Sequence, residues 1–568
     1  MRYTVLASDY DGTLAHDGVV DHPTLNAVDR LLQSGRKLLL VTGRELEDLK
    51  GVFPAIERCE LVVAENGGLL YNPKTQEERS LAEPPNPDFL KELTRRGVPF
   101  SVGRGIVATW EPHQNAVLDV IQRLGLELQL SFNKGAVMVL PSGINKQTGL
   151  QAALDELHLS SHNVVGIGDA ENDHIFLSAC ECGVAVANAL PSLKERADLV
   201  TRHDHGAGLA ELIDQIIADD LRSLDERLGR HSIAVACRSD GTPIVIQPYR
   251  GSLLFAGPSG SGKSTAATGV LEALAEQKYQ FCLVDPEGDY ENFMGALQLG
   301  TPQSAPEVKQ VLKTLEDPKQ NLVINLLGIP VPDRPAFFAS LFAQILDLRA
   351  RTARPHWLVI DEAHHMLSSL VPAANTMPQL ISGMIYITVH PEYIAKAALE
   401  QVEIAVAVGN EPQKTLGSLA QALGVPAPAF PEDKIKSGKG VIWCRSTQEP
   451  PFVGKLSVAK SERRRHLRKY AQGELGPDRS FYFRGLENKL NLKAHNLQVF
   501  TTMAEGIDDE TWLFHLRQGE YSRWFREAIK DTELADEVAD VERDESGDPQ
   551  ESRRRIIEAI ERRYTAAA

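Results

Sequence analysis

Residues 4–13 read TVLASDYDGT, and this stretch decides the fold of the N-terminal part of the chain. An apolar run that ends in carboxylates and a glycine is typical of a buried parallel strand followed by a tight turn. Three later segments repeat the pattern, with helical patterns such as HPTLNAVDRLLQSG between them: KLLLVTG, ELVVAENG and NVVGIGD. This alternation predicts an α/β fold with a Rossmann-like, doubly wound sheet whose chemistry lies at the carboxyl ends of the strands.

The polar residues at these strand ends are of the types that phosphoryl transfer needs. Asp9 and Asp11 follow the first strand, where one carboxylate can attack phosphorus and the other can move a proton. Later positions supply a hydroxyl, a cation and more carboxylates: Thr42 in TGR, Lys146 in SGINKQTGL, and Asp169, Asn172 and Asp173 in GDAEND. DYDGT alone also fits a plain acidic turn at the end of a strand. The order of all four motifs favours a phosphoryl-transfer site.

These motifs resemble those of the haloacid dehalogenase superfamily. DYDGT, TGR, the lysine of GINKQTGL and GDAEND correspond to its four motifs, and together they span residues 1–220. ENGG at residues 65–68 and VANA around Asn188 resemble the Cof-type branch, which includes archaeal phosphoglycolate phosphatase and sucrose-phosphate phosphatase. The resemblance implies a Rossmann-like core and a phosphatase activity.

The resemblance also implies a role for each motif. Asp9 would be the nucleophile that forms an aspartyl-phosphate, and Asp11 would protonate the leaving oxygen and then activate water. Thr42 and Lys146 would hold the phosphoryl oxygens. The other implied contacts are a Mg²⁺ site of Asp9, the main-chain carbonyl of Asp11, Asp169 and Asp173, and substrate contacts from Gly43, Arg44 and Asn172. Mg²⁺ would offset the repulsion between an anionic nucleophile and a phosphate dianion.

Residues 80–145, between the second and third motifs, have the pattern of an inserted α/β cap. In this superfamily the cap covers the site and selects the substrate. A small, closed site favours a small phosphorylated metabolite over the end of a polymer. Arg104, Trp110 and His113 are candidate substrate contacts in the cap, although a surface or core role is favoured for each.

A second site is predicted from GPSGSGKST, which matches the P-loop pattern G-x-x-x-x-G-K-[ST]. It follows the strand SLLFAG and opens the helix TAATGVLEALAEQ, which is the context that the motif requires. Backbone N–H groups of the loop would cradle the phosphates of ATP, Lys263 would reach the β and γ phosphates, and Ser264 would bind Mg²⁺. The predicted nucleotide-binding residues are Gly257, Gly260, Gly262, Lys263, Ser264 and Thr265.

HWLVIDEAHH supplies the acidic partners of this P-loop. Asp361 would complete the Mg²⁺ shell and Glu362 would orient a water molecule for attack on the γ-phosphate, with Thr388 and His390 in the sensor position. The order of P-loop, DPEGDY and DEAH over residues 230–460 resembles the HerA/FtsK branch of P-loop ATPases. That resemblance implies a homo-oligomeric ring with an arginine from a neighbour, for which Arg334, Arg349 and Arg445 are the candidates.

Residues 461–568 are predicted to be a small, mainly helical region after the phosphatase-like part (1–222) and the ATPase part (223–460). A charged helix, ELIDQIIADDLRSLDERLG, is predicted to connect those two parts. The region begins with the basic segment SERRRHLRKY, and basic and aromatic residues such as Arg479 interleave after it. That composition also suits a face for nucleic acid or a phosphorylated ligand. The spacing of Trp512, Leu516 and Trp524 favours a helical core instead.

The composition is that of a soluble globular protein. The 568 residues carry a formal net charge of −17, which disfavours non-specific capture of nucleic acid or of anionic membranes. Six scattered cysteines without a C-x-x-C pair argue against a disulfide framework or a zinc site. With neither a signal-peptide pattern nor a long apolar run, the sequence predicts a cytoplasmic protein without a membrane partner.

The leading hypothesis is a Mg²⁺-dependent phosphomonoester hydrolase for a small sugar phosphate or phosphoglycolate, joined to a module that binds and hydrolyses ATP. Two alternatives stay open: a kinase/phosphatase that processes nucleic-acid ends, and a HerA-like ring motor that carries a phosphatase. Glu362 next to Asp361 favours attack by water over transfer to a bound hydroxyl. The absence of a nuclease motif leaves DNA translocation as an analogy of fold.

Overall fold

The computed structural model describes residues 1–224, 229–249, 251–291, 293–368, 382–430, 438–447, 449–457, 459, 475, 480–529, 531–544 and 548–564. These residues form two α/β units, a cap inserted into the first unit and a C-terminal helical unit. The predicted α/β fold with a small helical region is therefore confirmed. No helix among these residues is long and apolar enough to cross a membrane.

The first unit is built on an eight-stranded sheet. Across the sheet the strands are Leu199–Val200, Cys182–Ala185, Val164–Gly168, Val5–Ser8, Lys37–Val41, Leu61–Ala64, Leu69–Asn72 and Glu77–Ser80. The last two are antiparallel to their neighbours and the others are parallel. The helices of the unit are His22–Gln33, Leu46–Val52, Lys146–Glu156, His174–Ala179, Pro191–Arg196 and His205–Asp219. The parallel strands are apolar throughout because helices cover both faces of the sheet.

The register of the central strands sets the position of the first motif. Ser8 pairs with Leu40 on one side and with Ile167 on the other. The residues that follow these three positions therefore leave the sheet at the same carboxyl edge. DYDGT, TGR and GDAEND come together there, because parallel strands end side by side.

The helix predicted to connect the first two units belongs to the core of the first unit instead. It starts at His205, packs against helix 22–33 and buries Leu209, Leu212 and Ile216. It ends at Asp219, and the next residue adopts a left-handed conformation with φ of 56°. Burial of the apolar face stabilises this helix against the first sheet unit, while its charged face stays on the other side. The helix therefore packs on the first unit and does not form a linker between the two units.

The cap is a four-stranded antiparallel sheet with two helices on one face. Its strands are, in spatial order, Ser101–Val102, Val107–Trp110, Ala136–Pro141 and Leu128–Asn133, and its helices are Pro87–Arg95 and Gln114–Leu124. Val107 and Val139 pack against the helices, whereas Met138 lies on the opposite face. A two-residue turn at Lys134 and Gly135, both with positive φ, closes the hairpin of the last two strands.

The second α/β unit is an eleven-stranded sheet. Across the sheet the strands are Pro243–Ile246, Ile233–Cys237, Phe452–Leu456, Lys439–Cys444, Val402–Ala407, Ser252–Ala256, Met384–Thr388, Trp357–Ile360, Phe281–Asp285, Asn321–Asn325 and Ala296–Leu299. Its helices are Lys263–Glu276, Val308–Leu315, Arg334–Thr352, Ala363–Met366, Lys396–Glu400 and Pro412–Leu423. A hairpin of the strands 233–237 and 243–246 forms one edge of the sheet, and the strand 384–388 lies between the P-loop strand and the strand that precedes Asp361.

The C-terminal unit is a helical core next to a short hairpin. The hairpin joins Phe481–Phe483 to Leu492–Ala494, and the helices are Leu497–Gly506, Asp509–Arg517, Glu520–Trp524, a π-helical turn at Phe525–Ile529, Thr532–Glu542 and Pro549–Tyr564. Trp512, Leu516 and Trp524 are buried together, so the interpretation of their spacing as a core is confirmed. SERRRHLRKY and Arg479 lie outside the described residues. The boundaries at residues 222 and 460 stay a prediction.

The two α/β units meet at the amino-terminal edges of their sheets. The hydroxyl of Tyr249 donates to the carbonyl of His162 at 2.8 Å, and Arg354 donates to the carbonyl of His158 at 3.0 Å. His356 Nε2 lies 3.3 Å from Asn163 Oδ1. Each contact lies just before a strand, so the carboxyl edges of the two sheets face away from each other.

Candidate active site

A buried lysine joins two carboxylates at the carboxyl edge of the first sheet. Lys146 opens helix 146–156, and its Nζ donates to Asp9 Oδ1 at 2.5 Å and to Asp173 Oδ1 at 2.6 Å. Burial opposes the charge of Lys146, but the two carboxylates outweigh it and raise the pKa of the lysine. Burial, followed by the charge of Asp173, raises the pKa of Asp9 well above its ordinary value, while Lys146 partly counters the shift.

The carboxylates of Asp9, Asp169 and Asp173 form one cluster. Each offers an oxygen, and these oxygens lie within 4.8 Å of one another. Asp173 Oδ2 accepts the N–H groups of Asp169 and Ala170 at 2.8 and 2.9 Å, and Asp169 Oδ1 accepts the hydroxyl of Thr13 at 3.2 Å. Several carboxylate oxygens at one point are the hard ligands that Mg²⁺ prefers, so the donor set fits that ion.

The TGR motif lies beside this cluster. Thr42 is buried, and its hydroxyl oxygen accepts the N–H of Arg44 at 3.1 Å. The Arg44 guanidinium donates to both carboxylate oxygens of Asp11 at 2.7 Å and also to Asp48. Arg44, predicted as a substrate contact, is therefore engaged in holding Asp11. The hydrogen bonds to Asp11, which outweigh burial, raise the pKa of Arg44.

Gly43 and Asn172 line the side of the site that faces the cap. A Cβ atom at Gly43 would lie 3.2 Å from Met138 Sδ, so the cap sheet rests on this glycine. Asn172 Nδ2 donates to Asn66 Oδ1 at 3.1 Å. The Oδ1 atom of Asn172 is buried and has no hydrogen-bond partner among the described residues. It is available to a ligand that offers a donor.

Two residues that sequence reasoning missed connect the cap to the core. Lys134, at the turn of the cap hairpin, donates through its ammonium group to Asp169 Oδ2. Glu65 of ENGG accepts the cap N–H groups of Arg104 at 3.0 Å and of Gly105 at 2.8 Å. The pattern FNKGAV does signal a hairpin turn. It does not show that the turn lies over a carboxylate far away in sequence.

The three candidate contacts of the cap lie in different environments. The Arg104 guanidinium pairs with Glu78 at 3.1 Å and its side chain is 66% exposed. Trp110 is 54% exposed and shares the core-facing side of the cap sheet with Met138, since Ala108 pairs with Met138 and side chains alternate along a strand. His113 precedes helix 114–124. Trp110 is therefore on the side of the sheet that covers the site.

The P-loop has the backbone that phosphate binding needs. Gly257 adopts φ of 149°, and a Cβ there would lie 2.2 Å from the carbonyl of Val408. Gly260 and Gly262 adopt φ of 74° and 95°, which favours glycine. The loop ends at the start of helix 263–276, and Ser264 and Thr265 lie in its first turn. A cleft of about 860 Å³ lies beside the loop, lined by residues that include Pro258, Thr265, Asn410, Lys439 and Ser457.

The residues that would complete a nucleotide site lie at the same edge. Lys263 Nζ donates to the carbonyl of Pro258 at 3.0 Å, and burial lowers its pKa. Asp361 is buried, and this burial raises its pKa well above the ordinary value. Glu362 adopts a left-handed conformation with φ of 44°, which is strained for a glutamate. Its Oε2 lies 3.2 Å from His364 Nδ1.

His364 links the acidic pair to the neighbouring strand, which the sequence did not indicate. Its Nδ1 lies 3.1 Å from Thr388 Oγ1, and Thr388 Oγ1 accepts the N–H of His390 at 3.0 Å. Burial, with His365 next in importance, lowers the pKa of His364 to about 4, so the ring is neutral near neutral pH. The predicted sensor residue Thr388 is thus connected to Glu362 through the side chain of His364.

The candidate arginines for a neighbour's site are used within the chain. Arg349 is enclosed and donates to the carbonyls of His356 and Ser382. Arg445 donates to the carbonyls of Leu399 and Val402. Both therefore lie at the amino-terminal edge of the sheet and are bonded within the chain, and a role for either in a neighbour's nucleotide site stays a prediction. Arg334 donates to Pro286 and so holds the DPEGDY loop.

Comparison with known proteins decides the family of the first unit. Residues 6–110 and 121–213 match a family model described as haloacid dehalogenase-like hydrolase. Phosphoglycolate phosphatase 2 of Saccharolobus solfataricus is 30% identical over 219 residues, which are 38% of this chain and 92% of that protein. This chain belongs to the haloacid dehalogenase-like hydrolases. The motif-based resemblance is therefore confirmed.

The chain is also similar to a second curated phosphatase and to a solved structure. The phosphoglycolate phosphatase of Methanothermobacter thermautotrophicus is 31% identical over 219 residues, 37% of this chain and 96% of that protein. Among solved structures, the sucrose-phosphatase of Synechocystis is 19% identical and covers 38% of this chain and 98% of its own, with a TM-score of 0.32. Residues 246–385 match a model described as an AAA domain, which confirms the P-loop ATPase. The hydrolase is a phosphatase with a second, ATPase site.

Proposed function

We propose that this hydrolase removes phosphate from a small phosphorylated metabolite of the phosphoglycolate or sugar-phosphate class, with Mg²⁺ and through an aspartyl-phosphate on Asp9. The observation that carries the proposal is the buried lysine bridge, in which Lys146 holds Asp9 and Asp173 at one point of the sheet edge. A fixed cation next to a buried carboxylate suits an anionic nucleophile that must approach a phosphate.

The proposed chemistry uses four side chains. A carboxylate oxygen of Asp9 attacks phosphorus, the ester P–O bond breaks, and Asp11 gives its proton to the leaving oxygen. Water then attacks the aspartyl-phosphate, Asp11 takes the proton of that water, and Asp9 is released as a carboxylate. Thr42 and Lys146 hold the phosphoryl oxygens. Arg44 donates to both oxygens of Asp11 at 2.7 Å and would have to release one of them for that oxygen to carry the transferred proton.

Mg²⁺ would be held by Asp9, the main-chain carbonyl of Asp11 and Asp169, with Asp173 in support. Bound there, it would supply positive charge that offsets the repulsion between the Asp9 carboxylate and the phosphate. Asp173 uses one oxygen for Lys146 and the other for two backbone N–H groups. These contacts suit a residue that fixes the loop around the ion. Gly43 and Asn172 would face the substrate from the same edge.

The substrate class is supported by the relatives and by the cap. The two curated relatives named above are phosphoglycolate phosphatases. Lys134 brings an ammonium group from the cap to the carboxylate cluster, and Trp110 lies on the cap face that covers the site. A second cation above the phosphate suits a substrate with a further negative group, such as a carboxylate next to the phosphate ester. The indole ring of Trp110 suits packing against the carbon skeleton of a small organic substrate.

The second site would bind ATP and Mg²⁺. Lys263 and the backbone of the loop through Gly257, Gly260, Gly262 and Thr265 would hold the phosphates. Ser264 and Asp361 would hold the ion, and Glu362 would orient water. Because the two carboxyl edges face away from each other, this arrangement does not favour a kinase–phosphatase relay in which one bound end passes between sites. A homo-oligomeric ring of the HerA type stays a prediction.

The test is phosphate release from a panel of phosphoglycolate, sugar phosphates and nucleotides, with and without Mg²⁺. The wild type is compared with Asp9→Asn and Lys263→Ala. We expect one small phosphomonoester to be hydrolysed with Mg²⁺, with loss of this activity in Asp9→Asn and its retention in Lys263→Ala. Release from ATP alone, lost only in Lys263→Ala, would contradict the proposal.

A further inference from the structure

Three potential metal ligands meet where the two α/β units join. His162 and Glu181 come from the first unit, before the strands 164–168 and 182–185, and His231 lies just before the strand 233–237. Each offers one ligand atom, and these atoms lie within 4.8 Å of one another. His162 and Glu181 are both only 6% exposed. We call these three residues the junction cluster. They belong to neither of the sites described above.

The Nε2 atom of each histidine in the junction cluster is hydrogen-bonded to a main-chain carbonyl. His162 Nε2 lies 2.7 Å from the carbonyl oxygen of Gln277, and His231 Nε2 lies 3.2 Å from the carbonyl oxygen of Cys180. A carbonyl oxygen only accepts, so both Nε2 atoms carry hydrogen. In a neutral ring the lone pair is then on Nδ1. Each histidine is thus held as a metal-binding histidine is held, with its other N–H donated to the protein.

A cation is needed between His162 and Glu181. His162 Nδ1 lies 2.7 Å from Glu181 Oε2, and the carboxylate oxygen also accepts the hydroxyl of Tyr279 at 2.8 Å. If the ring is neutral, a lone pair faces a carboxylate at this distance, which is repulsive. Either a proton or a metal ion must occupy the position.

We propose that His162, Glu181 and His231 bind a divalent transition-metal ion of the Zn²⁺ type. Two imidazoles and one carboxylate are a ligand set that Zn²⁺ accepts, whereas Mg²⁺ prefers oxygen alone. Ligand atoms of a tetrahedral zinc ion are roughly 3.3 Å apart, given bonds of about 2.0 Å. The 2.7 Å between His162 Nδ1 and Glu181 Oε2 would have to widen to this spacing when the ion binds. Water would take the fourth position.

The second histidine distinguishes this cluster from an ordinary ion pair. A proton between His162 and Glu181 would involve those two residues only, whereas a metal ion would also use His231. Arg230, the charged neighbour of His231, is compensated by Asp198 at 3.0 Å and therefore adds little net charge. The nearby His356 is not a ligand, since its Nδ1 accepts the N–H of Gln280.

The ion would fasten the phosphatase to the ATPase. Its ligands come from the first unit and from the hairpin that leads the second. The groups that orient them, the Gln277 carbonyl and the Tyr279 hydroxyl, precede the strand 281–285 of the ATPase sheet. The Tyr279 ring also stacks on His162 with a centroid distance of 3.7 Å. Metal binding here would therefore stabilise the contact between the units.

The test uses the full-length chain, freed of metal with a chelator and kept in excess Mg²⁺ so that the oxygen-rich sites are filled. Zn²⁺ is titrated by calorimetry into the wild type, His231→Asn and a matched control, His203→Asn. His203 also pairs with a glutamate, Glu211 at 2.9 Å, but at the surface and without a second histidine in its pairing. We expect one Zn²⁺ per chain in the wild type and control, and affinity at least about tenfold weaker in His231→Asn.

Two further readouts keep the test decisive. Zn²⁺ should raise the Tm of the wild type and of His203→Asn, and leave that of His231→Asn unchanged. If His231→Asn does not fold, Co²⁺ added to the wild type should give visible absorption that one equivalent of Zn²⁺ removes. Equal Zn²⁺ affinity in the wild type and His231→Asn, or no Co²⁺ absorption, would overturn the proposal. The position between His162 and Glu181 would then hold a proton.

Discussion

Lys146 and Asp9 form a buried ion pair, with 2.5 Å between Nζ and Oδ1 and almost no exposure of either side chain. They are 137 positions apart in sequence and meet because a helix start and a strand end share one edge of the sheet. The lysine also binds Asp173, so one cation neutralises part of the charge of two carboxylates. Lys146 therefore holds two of the three clustered carboxylates in place.

Replacement of Lys146 by methionine should abolish most phosphatase activity. We expect kcat/KM for the best phosphomonoester to fall by about 10²–10³, because a fixed charge on the phosphoryl oxygens is lost. In chelator the variant should also lose about 3 kcal/mol of unfolding free energy, since two buried carboxylates keep no lysine partner. Phosphate release and urea unfolding measure the two effects. ATP hydrolysis serves as the internal control, and a variant with unchanged phosphatase activity would refute the assigned role.

Replacement of Lys134 by methionine should change selectivity and metal affinity together. Its ammonium group contacts Asp169, so its removal should strengthen Mg²⁺ binding measured by calorimetry. For a carboxylated phosphomonoester we expect kcat/KM to fall about tenfold through loss of a charge-assisted contact. Phosphomonoesters without a second charge should change little. Lys91→Met in the cap helix is the control, because that lysine pairs with Asp88 at the surface. Equal losses on both substrate classes would argue against a selective role.

Replacement of Glu362 by glutamine should separate ATP binding from ATP hydrolysis. The turnover number should fall about 10²-fold or more, because the group that orients water is lost, while the Kd for ATP stays within about threefold. Glu287→Gln is the matched control. The exposed carboxylate of Glu287 also acts on the pKa of Lys263 through its charge, but Glu287 lies in the DPEGDY loop. Hydrolysis is followed as phosphate release, and binding with a fluorescent ATP analogue. If Glu287→Gln were the more damaging change, the water-orienting role would move to that loop.

The stability of the ATPase unit should fall as pH decreases from about 6.5 to about 4, partly through His364. Its pKa is lowered to about 4 in the folded chain, against 6.5 for an unperturbed histidine. The unfolded chain therefore binds more protons in this window, so the stabilising effect is complete above pH 6.5 and is lost as pH falls through the folded pKa. His364→Gln should show a smaller loss of urea midpoint between pH 7 and pH 5. Identical pH profiles for the two proteins would exclude His364 as a contributor.

The sequence by itself determined the two catalytic edges. Apolar runs that end in DYDGT, TGR and GDAEND predict parallel strands, and parallel strands must place their ends side by side. The P-loop glycines are equally local in origin, since Gly257 and Gly262 need backbone conformations that other residues rarely adopt. These features depend on patterns only a few residues long, so they can be identified in one sequence without knowledge of the tertiary structure.

Tertiary structure alone decided which distant groups meet those edges. Lys134 reaches Asp169 because the cap rests on Gly43. Arg349 donates its hydrogen bonds to carbonyl groups at the amino-terminal edge of its sheet. His162 and His231 meet only because two sheets join at their amino-terminal ends. Such contacts depend on how whole layers pack, and the packing free energy is summed over many residues rather than carried by a motif. Sequence patterns therefore define each site, whereas tertiary packing determines what surrounds it.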